Sequence, residues 1–204
     1  MTRRILPLGD HALLVELDDL DAVLGLFRGL DATRPEGVVD LVPAARTIAV
    51  LVEPRILPLS SARSWVERTV PLDVDATHER LVELEVAYDG EDLAEAARLT
   101  GRTPAELVAF HTGSTWRVAF GGFSPGFAYL ATDRPLDVPR RDTPRTAVPP
   151  GSVGLAGAFS GVYPRSSPGG WQLIGRTHAV LWDETADPPA LLRPGTVVRF
   201  REAL

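Results

Sequence analysis

Between Gly121 and Arg176 ten of the 56 residues are glycine and eight are proline. That density constrains the fold more than any other feature of the chain. Glycine supplies positive φ and proline locks φ, so a non-repetitive segment carrying both reads as a series of fixed turns. Phe123, Phe127, Tyr129, Phe159, Tyr163 and Trp171 are spread through it, which a disordered linker would not carry. Arg134, Arg140, Arg141, Arg145, Arg165 and Arg176 stand against Asp133, Asp137 and Asp142, so the segment is +3 inside a chain of net charge −6. A rigid, aromatic, arginine-bearing surface on an acidic protein suits an anionic small molecule or a carboxylate-bearing partner.

The rest of the composition narrows the classes. A length of 204 residues fits one large domain or two small ones, and 45% apolar content supplies a core. There is no apolar run of the ~18 residues that a membrane span needs. The apolar start is short and broken by Gly9 and Asp10, so neither a signal peptide nor a membrane partner is expected, and the expected location is cytoplasmic. Cysteine is absent, which excludes disulfides, thiolate nucleophiles and cysteine-ligated metals. All 21 basic residues are arginine. The chain therefore has no Schiff-base or P-loop lysine, and P-loop use of ATP would fall to another chain. An acidic chain with no basic arm argues against nucleic acid as a partner.

Periodicity predicts a strand over 11–17 and an amphipathic helix over 19–30 offered N-caps by Asp18 and Asp19. Strands are expected over 37–41 and 47–53, then a helix capped by Ser60 or Ser61 that runs to about Val70. The order β-α-β-β-α predicts a small α+β, ferredoxin-like domain over residues 1–78. Residues 71–78 read as a link. A second, mainly β domain is expected over 79–204. It starts with a strand over 81–88 and a helix over 93–99. A further helix begins at Thr103-Pro104-Ala105-Glu106, a capping box with proline at the first helical position. That helix should end near His111 with Gly113 beyond it. Short strands follow over 117–120, 154–159, 171–174, 178–182 and 197–200, and closing them into a barrel would remove exposed edges.

Several residues are candidates for chemistry. His111 reads either as a general base or hydrogen-bond donor to substrate, or as a histidine matched to the negative end of a helix. Pro125 and Gly126 form a turn that a ligand could approach closely, and Phe127 and Tyr129 alternate on a strand face that could line a pocket. Arg140, Arg141 and Arg145 lie between Pro139, Pro144, Pro149 and Pro150, which would stiffen an anion-binding loop. Arg176 is a further positive charge. The four histidines have no ligand-like spacing, so no metal is expected.

PGFAYL (125–130), VPPGSVGLAG (148–157), GVYP (161–164) and SPGGWQLIGRT (167–177) resemble one bacterial family. So do ILPLGDHALLVEL (5–17) and VPAARTIAVLVEP (42–54). The family is known as the B subunit of 5-oxoprolinase, as allophanate hydrolase subunit 1 or as the kinase inhibitor KipI. The resemblance implies a cyclophilin-like barrel as the second domain. It implies a component, inactive alone, of an ATP- and Mg²⁺-using amidohydrolase that opens the lactam of 5-oxoproline to L-glutamate. It implies two companions, a related C subunit and an A subunit of LamB/YcsF type. Inhibition of a sensor histidine kinase and a carboxyl-transfer or allophanate-processing role remain alternatives. The family position raises the catalytic reading of His111. With Arg145 as the second catalytic residue, Arg145→Ala is expected to abolish turnover without unfolding. Tyr163, in the GVYP phrase, joins the substrate-binding set. Phe159-Ser160 departs from the family's usual Gln-Thr, and Phe159 would close space where an amide could orient a substrate.

Overall fold

The computed structural model describes residues 3–72 and 80–203, which form two compact units, Met1–His78 and Glu79–Leu204. The first unit runs β1 (Arg4–Pro7), β2 (Ala12–Glu16), α1 (Leu20–Ala32), β3 (Val38–Pro43), β4 (Thr47–Val52) and α2 (Leu59–Arg68). Its antiparallel sheet has the order β1-β2-β4-β3. Asp19 caps α1 by accepting the Ala22 N–H at 2.8 Å. The periodic face Val23, Leu26 and Leu30 then packs on Leu13, Val15, Ile48 and Val50, each such burial stabilising by about 1.5–3 kcal/mol.

One strand adds to the expectations and one cap is corrected. Arg4–Pro7 is a strand, although ILP is too short to show a period. Ser60 and Ser61 lie inside α2, whose cap position is Pro58 with no side-chain bond. Of the expected link, only residues 71 and 72 fall within the described residues.

The second unit runs β5 (Leu81–Val86), α3 (Leu93–Leu99), α4 (Pro104–Gly113), β6 (Trp116–Gly121), β7 (Ala128–Ala131), β8 (Arg145–Val148), β9 (Ser152–Ala156), β10 (Phe159–Val162), β11 (Ser167–Gly169), β12 (Gln172–Arg176) and β13 (Val197–Glu202). Seven strands form one sheet in the order β12-β9-β10-β7-β6-β13-β5, and β11 pairs β8 as a separate ribbon. Ala87, just beyond β5, exchanges two 2.9 Å backbone bonds with Arg176 of β12. That bridge joins the two edge strands and nearly closes the sheet into a barrel.

Thr103 and Glu106 make the full capping box of α4. The helix continues past the expected stop to Gly113, with Ser114 as its C-cap. The single strand expected over 154–159 is instead the hairpin β9–β10, which turns at Gly157. No strand forms over 178–182, where Trp182 makes only an isolated bridge to Ala190. Strands β8 and β11 arise where proline spacing predicts a loop.

Candidate functional site

The barrel wall has two chemically different faces, set by the alternation of side chains along each strand. Leu130 of β7, Val153 and Leu155 of β9, Val162 of β10 and Ile174 of β12 point into the main core. Their neighbours Phe127, Ala156, Trp171 and Leu173 point the other way, and with Val148 and Tyr163 they build a second cluster. Tyr129 and Phe159 pack on it half-buried. Its rings meet edge to face. Phe127 to Trp171 is 5.4 Å, Tyr129 to Trp171 is 5.5 Å and Tyr129 to Phe159 is 5.6 Å between centroids. Such pairs add about 0.5–1.5 kcal/mol beyond area burial. Gly161 leaves room for them, because a Cβ there would stand 2.9 Å from Phe127 and 3.0 Å from Trp171.

Gly126 has φ +82°, and a Cβ on it would lie 2.8 Å from the Cβ of Trp182. Its backbone is therefore already approached by the chain's own Trp182 and Pro164, rather than left open for a ligand. Pro125 beside it is exposed.

The arginines divide sharply. Asp92, at the start of α3, is 4% exposed. Its Oδ1 accepts from Arg141 Nη1 at 2.5 Å and from Arg145 Nη2 at 2.9 Å, and its Oδ2 accepts the Leu173 N–H at 2.8 Å. Arg145 Nη1 also lies 2.9 Å from Oδ2 as an ion pair, without hydrogen-bond alignment, and Arg145 Nη2 reaches Glu91 at 3.1 Å. Burial works against the charge of Asp92. The bonds from Arg145 and Leu173, with the charges of Arg145 and Arg141, outweigh it and hold the carboxyl below its ordinary value. The bond to Asp92 holds the Arg145 guanidinium above its own. Arg141 and Arg145 are thus a latch between the 139–145 segment, α3 and β12.

The sequence expectation for Arg145→Ala needs correction in consequence. Removing it strips a buried carboxylate of its principal partner, so the substitution destabilises. Arg176 is exposed and pairs with Asp89 at 2.8 Å. Arg140 is exposed and makes no hydrogen bond or ion pair among the described residues.

His111 lies in the barrel core, fully buried. Its Nδ1 is 2.7 Å from the Tyr88 hydroxyl and its Nε2 is 2.8 Å from Ser160 Oγ. Its ring stacks on Phe200 at 4.1 Å, and its carbonyl accepts the Trp116 indole N–H at 3.0 Å. A neutral imidazole offers one donor and one acceptor, and the two hydroxyls match them. Burial pushes its pKa down to about 3, and burial followed by the charge of Glu202 pushes the Tyr88 phenol up. The arrangement can hold a neutral, oriented ring. It offers no proton acceptor to a molecule outside the core.

Tyr163 is 2% exposed, and its hydroxyl occupies the space that a side chain at residue 169 would need. Burial raises its phenol pKa, against a backbone bond from Trp171. Among the described residues no group of three or more His, Asp or Glu side chains converges on a metal-sized space. Sequence reasoning passed over Asp92, Tyr88 and the bond to Ser160. Asp92 follows the Asp89-Gly90 turn, where an acid reads only as a helix start.

An outward aromatic wall, an arginine latch and a near-closed barrel beside two helices describe a recognisable class of domain. The model of the carboxyltransferase domain, subdomain C and D, matches residues 3–192, and the chain belongs to that family. Among curated relatives, the 5-oxoprolinase B subunit of Bacillus subtilis is 35% identical over 97% of this chain and 91% of that protein. The 5-oxoprolinase B subunit of Escherichia coli O157:H7 is 41% identical over 80% of this chain and 77% of that protein. Among solved structures, TTHA0988 superposes with a TM-score of 0.80 at 35% identity, covering 95% of this chain and 40% of that one. The chain therefore spans about two fifths of that protein's length. Urea carboxylase of Kluyveromyces lactis has the same fold, with a TM-score of 0.76 at 17% identity over 99% of this chain and 22% of that one.

Proposed function

We propose that this chain is the B subunit of a 5-oxoprolinase, a complex that hydrolyses the lactam of 5-oxo-L-proline to L-glutamate. The observation that carries the reading is the match to two proteins of that name, one of them over nearly the whole of both chains. A lactam is a resonance-stabilised amide, so its hydrolysis needs activation, which the reading assigns to ATP with Mg²⁺. With no lysine to build a P-loop, nucleotide binding of that kind falls to the companions, a related C subunit and an A subunit of LamB/YcsF type. The working location is the cytoplasm. Among the described residues no helix is long and apolar enough to cross a membrane.

The finer fold reading is that the first unit is ferredoxin-like. Its elements β2, α1, β3, β4 and α2 follow that order, and β1 takes the edge beside β2 that a strand after α2 would otherwise fill. The second unit is read as cyclophilin-like. A carboxyl-transfer role is the second reading, favoured by the description of the matching family.

An omission assay tests the proposal. The three chains are co-expressed with ATP, Mg²⁺ and 5-oxoproline, with and without this one, and glutamate is followed. Glutamate only from the full set is the expected result. A folded, complete complex that forms none would overturn it.

A further inference from the structure

We infer that Arg140 is the carboxylate anchor of this chain, and that Tyr129 and Phe159 form the apolar wall against which the ring of the bound acid packs. The inference rests on the functional reading above and narrows it to one cation and one face.

Of the six arginines between Gly121 and Arg176, four have acidic neighbours. Arg134 stands 4.0 Å from Asp133, Arg176 pairs with Asp89, and Arg141 and Arg145 are engaged by Asp92. Arg140 and Arg165 make no hydrogen bond, ion pair or ring contact among the described residues. Placement separates these two. The Arg141 N–H donates to the Gly170 carbonyl at 2.8 Å, and the Gln172 Nε2 donates to the Pro139 carbonyl at 3.1 Å. The two bonds tie the residues on either side of Arg140 to those on either side of Trp171, and the Arg140 charge acts on the Tyr163 phenol of the same cluster. Trp171 in turn touches Tyr129, and Tyr129 touches Phe159. Those last two rings are half-buried, so part of each remains open. The backbone under Arg140 is fixed by prolines 139 and 144 and by the clasp of Arg141 on Asp92. An exposed guanidinium on a fixed backbone loses less entropy on binding than one on a free loop. A guanidinium matches a carboxylate bidentately. A small ring attached to that carboxylate would then reach the aromatic edges. The ligand class is a small cyclic acid, of which 5-oxoproline is one.

The test uses the assembled complex with Arg140→Ala, Arg140→Lys and, as a control, Arg165→Ala. Two lactams are compared: 5-oxoproline and 2-pyrrolidinone, which is the same ring without the carboxylate. Losing a charged hydrogen-bonded contact is expected to raise KM for 5-oxoproline about 10- to 100-fold with kcat little changed. Turnover of 2-pyrrolidinone should be indifferent to the substitution, Arg140→Lys should recover part of the loss, and Arg165→Ala should behave as wild type. A wild-type complex that works, with an Arg140→Ala complex that works equally well, overturns the inference and leaves the function standing. A wild-type complex that forms no glutamate overturns the function. The inference is then decided by titrating 5-oxoproline into the complex and following the ring signals of Tyr129 and Phe159 by NMR. Shifts in wild type that vanish in Arg140→Ala support it, and no shift in wild type overturns it.

Discussion

Around His111 each ring nitrogen meets a hydroxyl, the carbonyl meets an indole and the ring face meets Phe200. Around Arg140 the guanidinium has no hydrogen-bond or ion-pair partner among the described residues. Both residues carry chemistry that a sequence reader would mark, yet the structure treats them in opposite ways. A buried polar group must be satisfied internally or it costs about 1–3 kcal/mol. An exposed one is satisfied by water until a ligand displaces it. Complete satisfaction identifies a group that stabilises the fold, and an open, pre-positioned charge identifies one that is free to bind. The Asp92 carboxylate, engaged on both oxygens, belongs with His111 by this criterion, although its two arginine partners lie in the same arginine-rich segment as Arg140.

The contrast can be broken most directly at Asp92. Asp92→Ala leaves Arg141 and Arg145 without their partner and orphans the Leu173 N–H, and is expected to lower stability by about 3 kcal/mol. Arg140→Ala should change it by less than about 0.5 kcal/mol. Urea unfolding of the two variants side by side measures both, and equal losses would erase the distinction.

The next test is pH. His111 stays neutral in the folded chain until about pH 3, whereas the unfolded chain protonates below about 6.5. The stability that the neutral ring contributes is complete above about pH 6.5. It is lost as pH falls, by about 1.4 kcal/mol per unit, until the folded value near 3 is reached. Because Asp92 is also held below its ordinary value, its own loss comes at lower pH. Glu83, Glu95 and Glu106 are likewise held below theirs, so unfolding midpoints between about pH 6.5 and 5.5 report on the histidine before the carboxylates, and His111→Gln should flatten the slope there. An unchanged slope would place the proton elsewhere.

The smallest effect is expected at the rim of the aromatic face. Phe123 holds φ +65° while 59% exposed, a conformation that costs a non-glycine residue about 1 kcal/mol. Phe123→Gly relieves that strain but gives up edge contacts with Phe127 at 5.4 Å and Tyr163 at 6.3 Å. The net change in Tm should be within about 2 °C, since the two terms oppose at similar size. A large loss would mean that the ring belongs to the core rather than to the rim.

Much of this was legible in the residues. The spacing of Val23, Leu26 and Leu30 marked the first helix, and Thr103 with Glu106 marked the capping box, because both signals lie within a few turns of chain. The phrases of 125–177 pointed to the family now matched over residues 3–192. What the chain did not display were pairings across distance. Arg145 reads identically whether it faces solvent or Asp92, since 53 residues separate the two partners. Strands β8 and β11 hide among prolines because each is stabilised by the other and by Val148 packing on the aromatic cluster.

Local elements, dense turns, the excess of arginine over acid in one segment and the family all follow from the chain alone. They depend on neighbours within a few residues and on composition. Which charges are free was settled by folding. Closing the barrel through Ala87 and Arg176 carries the following turn and Asp92 beside β12, and there the buried carboxylate engages Arg141 and Arg145. Arg140 is left exposed to solvent. The desolvation that makes such pairing obligatory exists only once the chain has folded around it.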